Sequence, residues 1–414
     1  MRVEVPYGDG TLSAAIPESA HVTVLEPKEV PPQDEIGLLR EAISDPISFT
    51  PLSEFLSGRG EFLVVVNDAT RQTPTARALE GLSEVLRDKK PEFLIATGSH
   101  RAPTEDEIGS IFGKFHHEYK DRIGYHDSRN SEMVELGVTS RGTPVRVNKK
   151  VLEFDRIVLI NSVEPHYFAG YTGGRKSILP GVSSYETIEA NHKFALEPAA
   201  RTMSLEGNPV HEDMAEAIGF LDREKLFSIN LVLDGRKRIY FAGAGDITDS
   251  FMEAVKYSHE VNSVPVRGPA DLVVTATSPP SDIDLYQSQK ALDNAKLVAR
   301  KGGTIIFVTK CRQGIGKREF FDLIAEEDDP ASVLEKLKSG YELGWHKAAK
   351  MAEMAMEFQI LAITALPPED IRSIFMNPFS DLQSAIDHAL GSLGEDSSIV
   401  VMPMGGLTVP RVRE

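Results

Sequence analysis

Short apolar runs closed by turn residues alternate with helix-like patterns along most of the chain, and this alternation limits the fold more than any other feature. Phe62-Leu63-Val64-Val65-Val66, Phe93-Leu94-Ile95-Ala96 and Ile157-Val158-Leu159-Ile160 read as buried strands. Each is followed by a polar loop and then a helix, the pattern of βα units and a largely parallel sheet. Thr73 is expected to cap a helix that begins at Pro74 and runs to Asp88. Thr104 and Glu107 form a T-x-x-E capping box, and Ser183 with Glu186 is expected to cap the helix that carries His192. Alternating apolar residues around Asp234-Gly235 predict a hairpin. A second strand and helix series starts at Leu272-Val273-Val274, with a helix expected from about Asp284 to Arg300 and a strand from Thr304 to Val308.

The segment from Asn262 to Pro269, with two prolines and a glycine, is the best candidate boundary. The expected fold class is therefore α/β with two domains, 1–262 and 268–414, mixed or parallel sheets flanked by helices, and an active site in the cleft between domains. The 414 residues and their 41% hydrophobic content are enough for two folded cores. With 45 Lys and Arg against 62 Asp and Glu, the net charge of −17 argues against a nucleic-acid partner. A single cysteine, Cys311, excludes an intramolecular disulfide framework and a cysteine-rich metal site. No apolar run is long enough to span a membrane, so a cytoplasmic enzyme or binding protein is expected.

Ligands of parallel α/β sheets gather beyond the carboxyl ends of strands, and polar residues cluster there. Asn67-Asp68-Ala69-Thr70-Arg71 offers an arginine able to clamp a carboxylate or phosphate, or else a plain Asp68–Arg71 turn ion pair. Thr97-Gly98-Ser99-His100-Arg101 supplies a histidine suited to proton transfer, or a surface residue. The richest stretch runs from Asn161 to Ser177. Its Gly170 and Lys176-Ser177 match parts of a G-x-x-x-x-G-K-[ST] nucleotide loop, but Arg175 stands in place of the last glycine. Lys176 could instead be a covalent anchor, or the stretch could be a Gly-rich surface loop. Tyr286, Gln287 and Lys290 would share one helix face, a polar wall for an anion or a solvated face. No H-E-x-x-H spacing exists, and Gly243-Ala244-Gly245-Asp246 lacks the third glycine of a dinucleotide fingerprint.

Together these stretches resemble the LarA family of nickel-pincer-nucleotide-dependent lactate racemases and related 2-hydroxyacid racemases and epimerases. The resemblance rests on Asp68-Ala69-Thr70-Arg71, on Thr97 to Arg101, on the run from Glu164 to Gly181, on Asn191-His192, and on Tyr286 to Lys290. The order of these stretches, with ten residues from His166 to Lys176 and sixteen from Lys176 to His192, makes the set specific. The resemblance implies an isomerase that reversibly transfers hydride to a tethered nickel-pincer nucleotide, pyridinium-3,5-bisthiocarboxylic acid mononucleotide carrying nickel, through a 2-keto acid. It implies Lys176 as the covalent tether, His192 as the protein's nickel ligand, and His100 and His166 as the pair exchanging the hydroxyl proton. Arg71 and Lys290 would hold the substrate carboxylate, supported by Asp68, Tyr286 and Gln287. It further implies cofactor-biosynthesis proteins as maturation partners. Trp345 is either a substrate-side aromatic or a partly buried packing residue. Two other readings stay open: a phosphate- or nucleotide-binding module built on Gly170 to Ser177, and a nicotinamide-dependent dehydrogenase, which would need the fingerprint this chain lacks.

Overall fold

In the computed structural model, which describes residues 1–58, 61–87 and 89–412, the strands pair as two six-stranded sheets with small hairpins beside them. The chain divides into two units. One is Glu29–Glu260; the other joins Met1–Lys28 to Val261–Glu414.

In the Glu29–Glu260 unit the sheet runs in the order Ile239–Gly245, Leu226–Leu233, Ile157–Ser162, Phe62–Asn67, Pro91–Ala96, Ile123–Tyr125. All neighbours are parallel except Leu226–Leu233 and Ile239–Gly245, which form the hairpin expected at Asp234-Gly235. Every residue from Phe62 to Val66 is buried, as strands covered on both faces require. Alternate residues Val64 and Val66, with Phe93, Ile95, Val158 and Ile160, pack against Leu39 and Ile43 of the Glu35–Ser44 helix and Ala78, Leu79 and Leu82 of the Thr75–Leu86 helix.

In the other unit the six strands of the large sheet are all parallel: Asn377–Pro378, Gln359–Ile363, Ala299–Val308, Ala270–Ala276, Ser398–Met402 and His21–Val24. The period-2 alternation of strand side chains divides its core into two layers. Val273, Ile305 and Phe307 meet Leu292, Phe320, Ile324 and Met351 on one face. Leu272, Val274, Ile306 and Val308 meet Ile386, Ala389 and Leu390 on the other, together with Val3 and Val5.

That last contact corrects the expected domain limits. Residues 1–28 do not belong with the chain that follows them. The hairpin of Arg2–Tyr7 and Gly10–Ala15 covers the second sheet's face with Val3, Val5 and Ala14, and His21–Val24 is that sheet's edge strand. The other division of the chain falls between Glu260 and Val261.

Local corrections have equally local causes. The capping box at Thr104 and Glu107 forms with both of its bonds. Thr73 does not cap its helix, because its hydroxyl bonds Asn67 Oδ1 at 2.7 Å and Ser162 Oγ at 2.8 Å, tying two strand ends together. The expected end at Asp88 falls outside the described residues. Ser184, not Ser183, caps the helix Tyr185–Lys193, since Ser183 donates to the Ile178 carbonyl instead. The helix expected up to Arg300 stops at Ala295, and Arg300 lies in the strand Ala299–Val308. Pairing there jumps from Ala270–Ala299 to Leu272–Thr304, so Gly302 and Gly303 sit in a bulge and the expected strand from Thr304 keeps its register.

Two histidines, His126 buried and His211 half-buried, make the fold acid-sensitive. His126 accepts from Asn148 Nδ2 at 3.1 Å and donates Nε2–H to the Ser183 carbonyl at 2.9 Å. Burial pushes its pKa down to about 4, and burial with the nearby Arg175 charge pushes His211 down to about 3. The unfolded chain binds these protons near 6.5, the native one only below 4, so stability is complete above about 6.5 and falls with pH. His126 alone is expected to remove about 3 kcal/mol by pH 4. Urea midpoints measured across this range check it: His126→Gln should flatten the slope, and a midpoint independent of pH would contradict it.

Candidate active site

Three neighbouring parallel strands, Pro91–Ala96, Phe62–Asn67 and Ile157–Ser162, end on the same edge of their sheet, and each releases one of the polar clusters there. Asp68 follows the central strand. Its Oδ2 lies 2.6 Å from His100 Nδ1, while its Oδ1 accepts from the Thr70 N–H at 3.1 Å and the Thr70 hydroxyl at 2.7 Å. Burial alone would raise the Asp68 carboxyl. The charge and hydrogen bond of His100, with the Arg71 charge and the Thr70 hydroxyl, outweigh burial and hold it below its ordinary value. The side-chain partner of Asp68 is thus His100, not Arg71 as a simple turn would have it. Asp68 fixes which imidazole nitrogen points away from it.

The loop holding His100 is tied to the loop holding Lys176. Gly98 donates to the Gly181 carbonyl at 3.0 Å, and its φ of +56° places the backbone against Pro180, where a Cβ would meet the Pro180 oxygen at 3.4 Å. The whole stretch from Pro165 to Leu179 is buried, so it is not a surface loop.

Nor is it a phosphate cradle. The N–H groups of Tyr171, Thr172, Lys176 and Ile178 are bonded to the carbonyls of Ala169, Glu164, Gly173 and Arg175, and that of Gly174 to Asn230 Oδ1 at 2.9 Å. Such cradles need those N–H groups turned toward the anion. Arg175 bonds the carbonyls of Ala169 at 2.8 Å and Tyr171 at 3.2 Å and lies over the Phe251 ring. Burial pushes its pKa down to about 9. The Gly243 to Gly245 run lies in an antiparallel edge strand, outside any βαβ crossover.

Three of the residues singled out in sequence meet around one ring. Phe168 has the imidazole of His166 edge-on at 4.6 Å, the imidazole of His192 edge-on at 5.0 Å, and Lys176 Nζ at 5.5 Å from its centroid. All three are more than nine-tenths buried, with exposures of 5% for His166 and 8% for Lys176 and His192. Lys176 Nζ lies 3.4 Å from His166 Nε2. The Ala169 N–H donates to His166 Nδ1 at 3.3 Å, so the neutral ring carries its proton on Nε2 and presents it toward the lysine. His192 sits in the last turn of Tyr185–Lys193, its Nδ1 3.2 Å from Asn191 Oδ1.

Tyr286, Gln287 and Lys290 lie in the other unit. Asp284 caps their helical turn through the Gln287 N–H at 2.7 Å, and the Ser288 hydroxyl bonds Thr309 Oγ1 at 2.7 Å. The turn Leu285–Ser288 is separated by Gln289 from the helix Lys290–Ala295, so Tyr286 and Lys290 lie on two successive helical segments. Sequence reasoning missed Lys347. This buried lysine donates to the Tyr286 carbonyl and lies 3.9 Å over the Tyr286 ring. Its signal was present, because Lys347 shares a helix face with buried Met351 and Met354. Trp345 packs, partly buried, against that unit's core.

Comparison with known proteins decides the family. Residues 7–203 match the family model described as lactate racemase N-terminal domain, and residues 266–409 that described as lactate racemase C-terminal domain. The chain is 33% identical to a lactate racemase of Thermoanaerobacterium thermosaccharolyticum, over 99% of both proteins. It belongs to the lactate racemase family. A lactate racemase of Lactiplantibacillus plantarum is 29% identical over 97% of this chain and 98% of that protein. The lactate racemase apoprotein structure from T. thermosaccharolyticum superposes with a TM-score of 0.90 at 32% identity, covering 99% of this chain and 100% of that one. A Thermotoga maritima protein structure shares the fold alone, with a TM-score of 0.72 and 19% identity over 91% of this chain and 98% of that one. This member of the lactate racemase family is accordingly an isomerase, and a binding module without turnover is set aside.

For this racemase the Asp68–His100 contact gives a direct test. Asp68→Asn keeps the shape but removes the buried anion, and kcat should fall on the order of 10²-fold with KM little changed. Steady-state kinetics in both directions measure it; a change confined to KM would make Asp68 a substrate-binding group instead. Among the described residues, no helix is long and apolar enough to cross a membrane.

Proposed function

We propose that the protein racemises a 2-hydroxyacid of the lactate class by removing the hydrogen of the carbinol carbon and returning it on the opposite face. The observation that carries this is the convergence of His166, Lys176 and His192 on the Phe168 ring. Both curated relatives bear the name lactate racemase.

The donor set suits a tethered group that brings its own metal ligands. It consists of a buried lysine amine and single imidazoles. No group of three or more His, Cys, Asp or Glu side chains among the described residues would hold a metal without it. Lys176 would carry a nickel-pincer nucleotide covalently, and His192 would ligate its nickel. When bound, that group supplies a two-electron acceptor for the carbinol hydrogen.

The chain's own residues do the rest. His100, its Nδ1 held by Asp68, and His166, its Nδ1 held by the Ala169 N–H, exchange the hydroxyl proton at Nε2. Two outcomes of opposite hand need two such groups, each able to act as acid or base. Arg71 holds the carboxylate by charge and a forked hydrogen bond. Fixing the carboxylate keeps the reacting carbon in place while its two faces exchange. Loading the group requires cofactor-making proteins in the cytoplasm.

The test is to coexpress the protein with a cofactor-making system and follow optical rotation across enantiopure 2-hydroxyacids. Inversion of lactate or a close homologue is expected, together with a mass adduct on the peptide containing Lys176. An unmodified lysine with no nickel retained and no inversion would sink the proposal.

A further inference from the structure

Asp213 is a fully buried carboxylate on the helix Pro209–Ile218, on the face that also buries Val210, Met214 and Ala217. It accepts from the Thr139 hydroxyl at 2.5 Å, the Thr143 hydroxyl at 2.8 Å and Asn191 Nδ2 at 2.7 Å. Thr139 and Thr143 follow and precede the paired strands Met133–Val138 and Pro144–Asn148, so a hairpin and two helices meet at this one side chain.

A carboxylate on the apolar face of a helix is costly unless its bonds serve a purpose or are fully satisfied. Here they orient an amide. Asn191 is itself fully buried, and its Nδ2 also faces the Val210 carbonyl at 3.2 Å. Both neighbours of that nitrogen, a carboxylate and a carbonyl, accept and cannot donate. The amide can therefore sit only one way round, with nitrogen toward Asp213 and oxygen toward His192. Asn191 Oδ1 lies 3.2 Å from His192 Nδ1, and an amide oxygen has no proton to give. The contact is a hydrogen bond only when the imidazole proton is on Nδ1.

We propose that Asp213 and Asn191 form a positioning relay that holds His192 in its Nδ1–H tautomer, with the lone pair on Nε2. The purpose of the relay rests on the reading of His192 as the imidazole that ligates the cofactor's nickel. A ligating imidazole needs its lone pair on the nitrogen that faces the metal, and its other N–H is usually handed to a fixed acceptor. Loss of such an acceptor typically costs about 10- to 100-fold in metal affinity. In this chain the acceptor is an amide locked from behind by a carboxylate, which the neighbouring Asn191-His192 pair in sequence gives no hint of.

The tautomer is measurable without any cofactor. Apoprotein labelled with ¹⁵N-histidine, at mildly alkaline pH, should show the His192 ring with a protonated Nδ1 in multiple-bond ¹H–¹⁵N spectra, assigned by comparison with His192→Gln. In Asp213→Asn the new amide can donate to Asn191 Oδ1, so only the Val210 carbonyl still opposes the turned amide, and His192 should shift part of the way toward the Nε2–H form. In the matured protein the same variant should retain about 10- to 100-fold less nickel after dialysis against a chelator. A wild-type His192 protonated on Nε2 would overturn the relay, and this needs no variant to fold. A His192→Gln protein that keeps its nickel would overturn the ligand reading in the proposed function while leaving the tautomer lock in place.

Discussion

Replacing His100 or His166 with alanine is expected to lower kcat by roughly 10²- to 10⁴-fold in both directions of racemisation. The loss is symmetric because the group that takes the hydroxyl proton in one direction must return it in the other. The two variants should differ in stability. His100→Ala leaves the buried Asp68 carboxylate with only its Thr70 bonds, a cost of about 1–3 kcal/mol. Asp68→Asn in the same chain should recover much of that, since it removes the stranded charge. His166→Ala instead opens a gap beside Phe168 and Tyr167, whose rings lie 4.6 and 5.0 Å from the imidazole. Polarimetry from each enantiomer, paired with denaturant melts, separates chemistry from folding. Wild-type turnover in either variant would remove that histidine from the reaction.

Lys176→Met should abolish racemisation down to the uncatalysed background and leave the protein without a covalent adduct. Methionine keeps most of the stem volume, so the packing against Phe168 survives. His192→Gln is expected to behave differently, keeping an adduct on Lys176 but losing nickel. Intact mass and metal content of the two purified proteins make the comparison. An adduct that persists in Lys176→Met would place the tether elsewhere.

Much of the fold is legible in the chain. Runs such as Phe62 to Val66 announce buried strands, and a parallel sheet delivers the loops after them, which hold residues 71, 100 and 166, to one edge. Contacts between elements distant in sequence were not legible. Val3 and Val5 look like any short alternating strand, and nothing local says that they cover residues 272–308. Thr73 and Ser183 have good capping side chains, but each found a partner in another segment, and tertiary bonds overrode the local preference. The helix expected from Asp284 is too long because Ala291 to Ala295 and the following leucine and valine suit a helix as well as the approach to a strand. Lys347 and Asp213 are hard to read for a related reason: a charged residue on an apolar face looks like an error in the pattern until its bonding partner is known.

The edge strand His21–Val24 pairs with Ser398–Met402, so a strand made before the Glu29–Glu260 unit waits for one made after it. The Glu29–Glu260 unit has all its strands in hand long before that point. Domains tend to fold as they are made, so the nascent chain should carry one finished body with an apolar leader, Val3 to Ile16, still uncovered. Expressing residues 261–414 alone would strip that sheet of its border strand and expose the face those leader residues cover. Adding a peptide of residues 1–28 in trans is the remedy that this threading suggests.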